Sequence, residues 1–205
     1  MSRDREKARR LAREFNSRGD ATGWFEQLYT EAAGNEAEVP WADMLPNSTL
    51  VAWLDREALS TAGKHALVIG CGLGDDAEEL HRRGFKVRAF DISPTAVDWC
   101  QRRFADSQVD YLVADLLNPP APWRQAFDFI FEANTLQALP EDLRAVAMTK
   151  LASFLAPGGA LLVIARGREP EEPLAEVPWP LARQEMEAFT RAELIEEQFE
   201  EFLDD

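Results

Sequence analysis

From His65 onward the chain alternates short apolar runs with segments of helical periodicity. The runs are HALVIG (65–70), KVRAFD (86–91), VDYLVAD (109–115), FDFIFEA (127–133) and GALLVIA (159–165). Several are apolar almost throughout, the pattern of strands covered on both faces. Strand and helix in alternation imply β-α-β crossovers, and so an α/β, doubly wound, mainly parallel sheet. Ser93 and Pro94 can cap and start a helix running to about Phe104. Leu139-Pro140-Glu141-Asp142 starts another, which Pro157-Gly158-Gly159 is expected to end. Ahead of the sheet, residues 1–64 carry three helical patterns, at about 3–17, 22–32 and 48–60, which predict an N-terminal helical cap. The link EVPWADMLPN (38–47) holds two prolines, and residues 166–184 hold four prolines and Trp179. A loop as long as 166–184 inside a compact domain is usually functional or disordered. The terminal LIEEQFEEFLDD fits a helical stripe (Leu194, Ile195, Phe199, Phe202, Leu203) as well as an edge strand.

At 205 residues the chain fits a single domain (1–205). It divides into a cap or lid (1–64), a core (65–165), and an acceptor loop with a C-terminal element (166–205). No stretch approaches the roughly 20 apolar residues of a membrane helix. The charged N-terminus lacks the apolar centre of a signal peptide, so a cytoplasmic location is expected. Cys71 and Cys100 cannot form a disulfide framework, and no Cys/His spacing suits a metal; none is expected. The net charge of −15 disfavours nucleic acid and anionic membranes as partners. That charge is uneven, with a net +4 over residues 1–18 and −11 over 169–205. The basic start reads either as an RNA-binding arm or as an amphipathic helix with Ala8, Leu11, Ala12 and Phe15 inside. Oligomeric state is left open.

The most informative segment is VIGCGLGDDAEEL (68–80), where Gly70, Gly72 and Gly74 follow the first strand and open a helix. Gly70 permits the tight turn, and Gly72 lets a ligand approach the backbone. Asp91 ends the second strand, where a carboxylate can accept both hydroxyls of a ribose. Together these point to an adenosine-type ligand. A dinucleotide site usually carries a third glycine, in GxGxxG spacing, beneath the pyrophosphate. Here that place holds Asp75, followed by Asp76, Glu78 and Glu79, carboxylates that would repel a pyrophosphate. S-adenosylmethionine has no phosphate and carries a sulfonium cation, so the charge favours it over NAD. Ligand is expected at the switch point of a sheet ordered 3-2-1-4-5 plus a C-terminal element.

On VIGCGLG, FDIS (90–93), VADLL (113–117) and FDFIFEANTLQALP (127–140), the chain resembles the Rossmann-like class I S-adenosylmethionine-dependent methyltransferases. The resemblance covers roughly 65–165. It implies that the first turn, with Gly70, Cys71 and Gly72, lines the methionine part, and that Asp91 with Ile92 binds the ribose. It also implies that Asp115, with Ala114 and Leu116, takes the adenine, and that Glu132 and the residues after it face the sulfonium and the acceptor. Many members have an acid where this chain has Val68. The segment WFEQLYTEAAGNEAEVPWADMLPNSTLVAWL (24–54) resembles the opening segment of the thiopurine, thiol and halide methyltransferases. That likeness makes Trp24, Tyr29 and Trp41 lid residues, although plain packing of cap on sheet accounts for them equally well. The family usually closes with an antiparallel hairpin, whose last strand this chain is expected to lack.

The activity implied is methyl transfer to a small-molecule acceptor, releasing S-adenosylhomocysteine. Neither His65 nor His81 should reach the strand ends, which leaves Glu132 as the candidate catalytic carboxylate. A base-poor site favours a thiol, a halide or another soft nucleophile. Trp41, Asn134, Gln137 and Trp179 are the candidate acceptor residues. Cys71 could be read as a nucleophile, but a small residue there ordinarily serves close packing. The alternatives are an NAD-linked reductase and a non-catalytic S-adenosylmethionine-binding module with a protein partner.

Overall fold

A computed structural model describes residues 3–57, 59–172 and 176–202. Pro173 of the proline-rich loop and Leu203 of the expected terminal stripe lie outside them. The cap comprises α1 (Arg3–Asn16), α2 (Gly23–Ala32) and α3 (Ser48–Glu57). The core then runs β1 (His65–Ile69), α4 (Asp75–Arg82), β2 (Lys86–Asp91), α5 (Pro94–Arg103), β3 (Asp110–Val113), β4 (Phe127–Ala133), α6 (Glu141–Phe154) and β5 (Leu155–Ile164). All five strands pair in parallel, in the expected order β3-β2-β1-β4-β5.

The run of apolar residues in β1 makes it the central strand. Ala66, Leu67, Val68 and Ile69 are each at most 2% exposed, and full burial of such a side chain contributes about 1.5–3 kcal/mol. Alternation along the strands feeds two cores. Leu67, Ile69 and Ile130 pack against α6 and its neighbours, while Ala66, Val68, Phe129 and Phe131 pack on the α3–α5 side. The predicted start of α5 is observed: the Ser93 hydroxyl accepts the Ala96 N–H at 3.0 Å, with Pro94 in the first turn. The basic α1 is the amphipathic helix of the second reading. Ala8, Leu11 and Ala12 are buried, and Lys7 and Arg9 pair with Glu31 and Glu176.

Three expectations change. The α6 helix ends at Phe154, ahead of Pro157-Gly158-Gly159, because the residue before a proline is pushed to extended backbone. Pairing with β4 already begins at Leu155, and the Pro-Gly-Gly stretch bulges out of β5 where the register jumps from Phe127/Leu155 to Phe129/Ala160. The segment after β5 is neither irregular throughout nor open. Gly167–Arg168 (β6) pairs in parallel with Leu181–Ala182 (β7), and the short α7 (Glu187–Arg191) packs on α6. Residues 192–202 form neither the helix nor the edge strand considered for them. Five carboxylates between Glu193 and Glu201 repel one another, and Ile195 remains 87% exposed. Ion pairs Arg183–Glu196 and Arg56–Glu200 tether the segment instead. Among the described residues nothing pairs with the outer edge of β5.

Candidate functional site

The C-terminal ends of β1, β2 and β4 converge on one opening. Gly70, Gly72 and Gly74 turn the chain from β1 into α4 with φ of +57°, +55° and +93°, backbone that L side chains rarely adopt. A Cβ at Gly70 would stand 2.4 Å from the Thr135 hydroxyl, so the turn after β4 abuts the glycine turn. Gly72 lies under the cap: a Cβ there would meet the Tyr29 hydroxyl at 3.4 Å and the Trp41 indole at 3.8 Å. The Gly72 N–H donates to Asp91 Oδ2 at 3.1 Å, and Ser93 N–H donates to Oδ1 at 2.9 Å. Burial pushes the Asp91 carboxyl up to about 6, against those backbone hydrogen bonds.

These residues line a cavity of about 2060 Å³, which runs from the glycine turn under the cap and along β5. Of the expected cofactor residues, Trp24, Gly70, Cys71, Gly72, Asp91 and Ile92 face it, as do Ala114, Asp115 and Leu116. Asp115 turns its oxygens to the Leu117 N–H and the Asn118 side chain, both at 2.8 Å. Cys71 is buried, and its thiol is pushed well up by its hydrogen bond with Cys100 and by burial, which disfavours the thiolate a nucleophile needs. The cap supplies an aromatic cluster above the turn. Trp24 stacks on Phe25 at 3.8 Å, and Trp41 meets Trp24 edge-on at 6.1 Å while donating to the Tyr29 hydroxyl at 2.7 Å.

Of the remaining expected residues, Glu132 and Trp179 fall outside the cavity lining, while Gln137 and Asn134 face it. Glu132 is fully buried and does not line the cavity. Its Oε1 accepts the Thr135 and Leu136 N–H groups at 2.6 and 3.0 Å, which fixes the turn after β4, and its Oε2 has no partner among the described residues. Burial pushes this carboxyl up to about 7 despite the two N–H groups. It shapes the wall of the site and does not reach into it. Gln137 lines the cavity, but its side chain is 3% exposed and bridges the Arg166 N–H and Asn134. Asn134 also faces the cavity, from a left-handed backbone at φ +64°. Trp179 packs with Trp24 and Val177 in the cap cluster, outside the cavity lining. Both histidines lie away from the cavity, as expected.

The acidic helix start is less bare than its sequence suggests. Asp75 pairs with Arg103 at 2.8 Å, Glu78 accepts the Tyr111 hydroxyl at 2.8 Å, and Glu79 holds Arg82 and Arg83. Asp76 accepts the Asn47 N–H at 2.6 Å, tying the cap to the turn, and burial pushes its carboxyl up to about 6.

Three residues that sequence reasoning passed over organise the site. Glu26 on α2 binds the start of α5 through Ser93 and Thr95. Asn47 caps α3, accepting the Thr49 and Leu50 N–H groups. Arg144 is 1% exposed and holds Leu139 O, Trp179 O and Glu185, clamping the 177–186 segment to the core. The last had a visible signal, because Arg144, Ala147, Met148 and Leu151 share one helical stripe.

Comparison with known proteins places the core. Residues 66–159 match the family described as "Methyltransferase domain". A ubiquinone biosynthesis O-methyltransferase of Xanthomonas axonopodis pv. citri (strain 306) is 32% identical over 114 residues, 55% of this chain and 47% of that one. The chain thus spans about half the length of the curated relatives it matches. The fold is shared with phospholethanolamine N-methyltransferase 2 of Haemonchus contortus (TM-score 0.64, 20% identity, 84% of this chain and 43% of that one). It is also shared with the [4+2]-cyclase SpnF (TM-score 0.64, 22% identity, 83% of this chain and 70% of that one). Residues 66–159 are thus similar to a methyltransferase domain, the sheet has the Rossmann-like order, and S-adenosylmethionine is the cofactor that the cavity residues fit: a glycine cradle, buried Asp91, and Asp115 with Leu116.

Proposed function

We propose that this chain, whose residues 66–159 match a methyltransferase domain, is an S-adenosylmethionine-dependent methyltransferase acting on a small-molecule acceptor. The observation that carries this reading is the junction at Gly72. There the N–H is tied to Asp91 at 3.1 Å while Tyr29 and Trp41 close from above, a cradle under an aromatic roof. When bound, the cofactor supplies an activated methyl group on a sulfonium. The protein's part is then alignment and exclusion of water. Asp91 and Asp115 would hold the two ends of the nucleoside, and the cap would keep solvent from the methyl. Trp24, Phe25 and Trp41 present aromatic faces suited to a nearby cation.

The acceptor is proposed to be a thiol, a halide or another soft nucleophile. Glu132 is enclosed and no histidine lines the cavity, so neither Glu132 nor a histidine is placed to deprotonate an alcohol. One observation favours a second reading, O-methylation: the curated relative at 32% identity is named an O-methyltransferase. Following release of S-adenosylhomocysteine with thiols, halides and phenols in parallel separates the two. Turnover with thiol or halide supports the first, and turnover confined to phenols the second. NAD binding without S-adenosylmethionine binding would overturn both. Tight S-adenosylmethionine binding with no acceptor turned over, plus a co-purifying protein, would favour a non-catalytic module.

A further inference from the structure

We propose that Glu26 is a positioning residue that locks the cap onto the cofactor cradle by sharing Ser93 with Asp91. The inference rests on the reading of this cavity as an S-adenosylmethionine site. Glu26 is half-buried on α2, and its carboxylate takes hydrogen bonds almost entirely from another element. Oε2 accepts the Ser93 hydroxyl at 2.5 Å and the Thr95 N–H at 3.1 Å, and Oε1 accepts the Thr95 hydroxyl at 2.7 Å. These are the exposed donors at the start of α5, where the helix dipole favours a negative charge. The start of α5 already has its own cap in Ser93. Glu26 is a second one, delivered from the cap.

The bonds continue inward without a gap. Ser93, whose hydroxyl goes to Glu26, sends its N–H to Asp91 Oδ1 at 2.9 Å, and Asp91 Oδ2 takes the Gly72 N–H at 3.1 Å. A single serine therefore fixes the carboxylate that meets the ribose and the carboxylate that holds the lid. One turn along α2, on the same face as Glu26, stands Tyr29, whose hydroxyl overlies Gly72. Without Glu26, α2 keeps its apolar contacts and the Thr30–Thr95 hydroxyl contact, but loses its charged hold on the start of α5. The groups facing Asp91 are Glu26 and Tyr29 from α2 and Cys71 from the turn. Burial holds Tyr29 neutral, and the Cys100 hydrogen bond with burial does the same for Cys71, leaving Glu26 as the ionised neighbour. Its own carboxyl, although raised by partial burial, is held below the usual range by Ser93, Thr95 and Thr30.

The test is calorimetric titration of the full chain with S-adenosylhomocysteine, as a function of pH, for wild type, Glu26→Gln and Glu26→Ala. Glu26→Ala is expected to weaken binding by about tenfold or more, the worth of one charge-assisted hydrogen bond. Glu26→Gln should lose less, since its carbonyl oxygen still accepts one donor. In both, the acid limb of the binding profile, set by Asp91, should move to lower pH as the neighbouring negative charge leaves. A purely structural role would lower stability and leave that limb in place. An unmoved limb, or wild-type affinity in both variants, overturns the proposal, and Glu26→Gln serves alone if Glu26→Ala does not fold. A wild type that binds no S-adenosylhomocysteine overturns the cofactor reading, and this proposal with it.

Discussion

Replacing Glu132 by glutamine isolates one buried carboxylate from the others in the chain. The side chain is fully enclosed, with two N–H groups on Oε1 and none on Oε2. Burial raises its folded pKa from 4.5 to about 7. A raised carboxyl favours the protonated, folded form. Its contribution to stability is fully present below about pH 4.5 and is lost as the pH climbs through about 7. At about 1.36 kcal/mol per unit, the whole shift corresponds to roughly 3 kcal/mol. Between about pH 5.5 and about pH 8.5 roughly 2 kcal/mol of that should be lost by the wild type and not by the Glu132→Gln variant. Asp76 and Asp91, both raised to about 6, slope the same way, while Glu26 and Glu79 slope the other way. All four remain in the variant, so the difference between the two proteins cancels them.

The assay is thermal unfolding of wild type and Glu132→Gln at the two pH values, at one ionic strength. For a domain of this size about 2 kcal/mol moves the midpoint by roughly 4–8 °C. The variant should therefore gain that much on the wild type in going from the acid to the alkaline buffer. At acid pH it should start lower, because its amide brings two donors into a place with no spare acceptor, at a cost of about 1–3 kcal/mol. Parallel midpoints across the whole range would refute the reasoning, since they would mean that Glu132 has the same affinity for its proton folded and unfolded.

Asp91→Ala should weaken S-adenosylhomocysteine by about 2–4 kcal/mol, two charge-assisted hydrogen bonds to a ribose; unchanged affinity by calorimetry would remove Asp91 from the site. Asp115→Ala should cost about 1–3 kcal/mol in the same titration while leaving the fold intact; a collapse of the unfolding midpoint would assign it to the Leu117–Asn118 turn alone. Arg144→Ala should lower stability by about 1–3 kcal/mol in denaturant unfolding, because it takes the buried donor from Leu139 O and Trp179 O and leaves Glu185 to Arg168 and the Ala182 N–H; unchanged stability would mean the clamp on 177–186 is incidental.

The parts of this molecule legible in the sequence are those written contiguously. Five apolar runs separated by helical periods define the sheet, and the β4 run from Phe127 to Ala133 is observed with the bounds read from the sequence. The glycine turn is legible for the same reason: Gly70 to Gly74 make their own conformation, and Asp91 follows at the end of the next strand. What could not be read is what folding brings together from a distance. Glu26 is one of 37 acidic residues, and its partner Ser93 lies 67 positions away. Setting the two histidines aside points to Glu132 as the reactive carboxylate, and only the geometry shows it turned onto the Thr135 and Leu136 N–H groups. Trp179 looked like a pocket wall, but its loop is drawn onto α1 by Arg9, whose side chain holds Val177 O at 3.2 Å.

The same division separates the two halves of the site by how firmly the sequence holds them. On the proposed reading, the cofactor half is built from backbone turns at strand ends, where a change of side chain alters little except at the glycines, Asp91 and Asp115. The proposed acceptor half is assembled from α2, the 38–47 link, the turn after β4 and the loop before β7. These are joined by single side-chain contacts such as Trp41 to Tyr29, Asp76 to the Asn47 N–H, and Gln137 to the Arg166 N–H. Glu26 apart, substitutions in those four segments can reshape the acceptor wall without touching the cradle. Specificity for the acceptor should therefore be set by the cap and the loop before β7, and affinity for the cofactor by the glycine turn and the end of β2. Exchanging Trp41 for alanine tests the division. It should alter which acceptors turn over while moving S-adenosylhomocysteine affinity by no more than about 1–2 kcal/mol, one aromatic contact and one hydrogen bond.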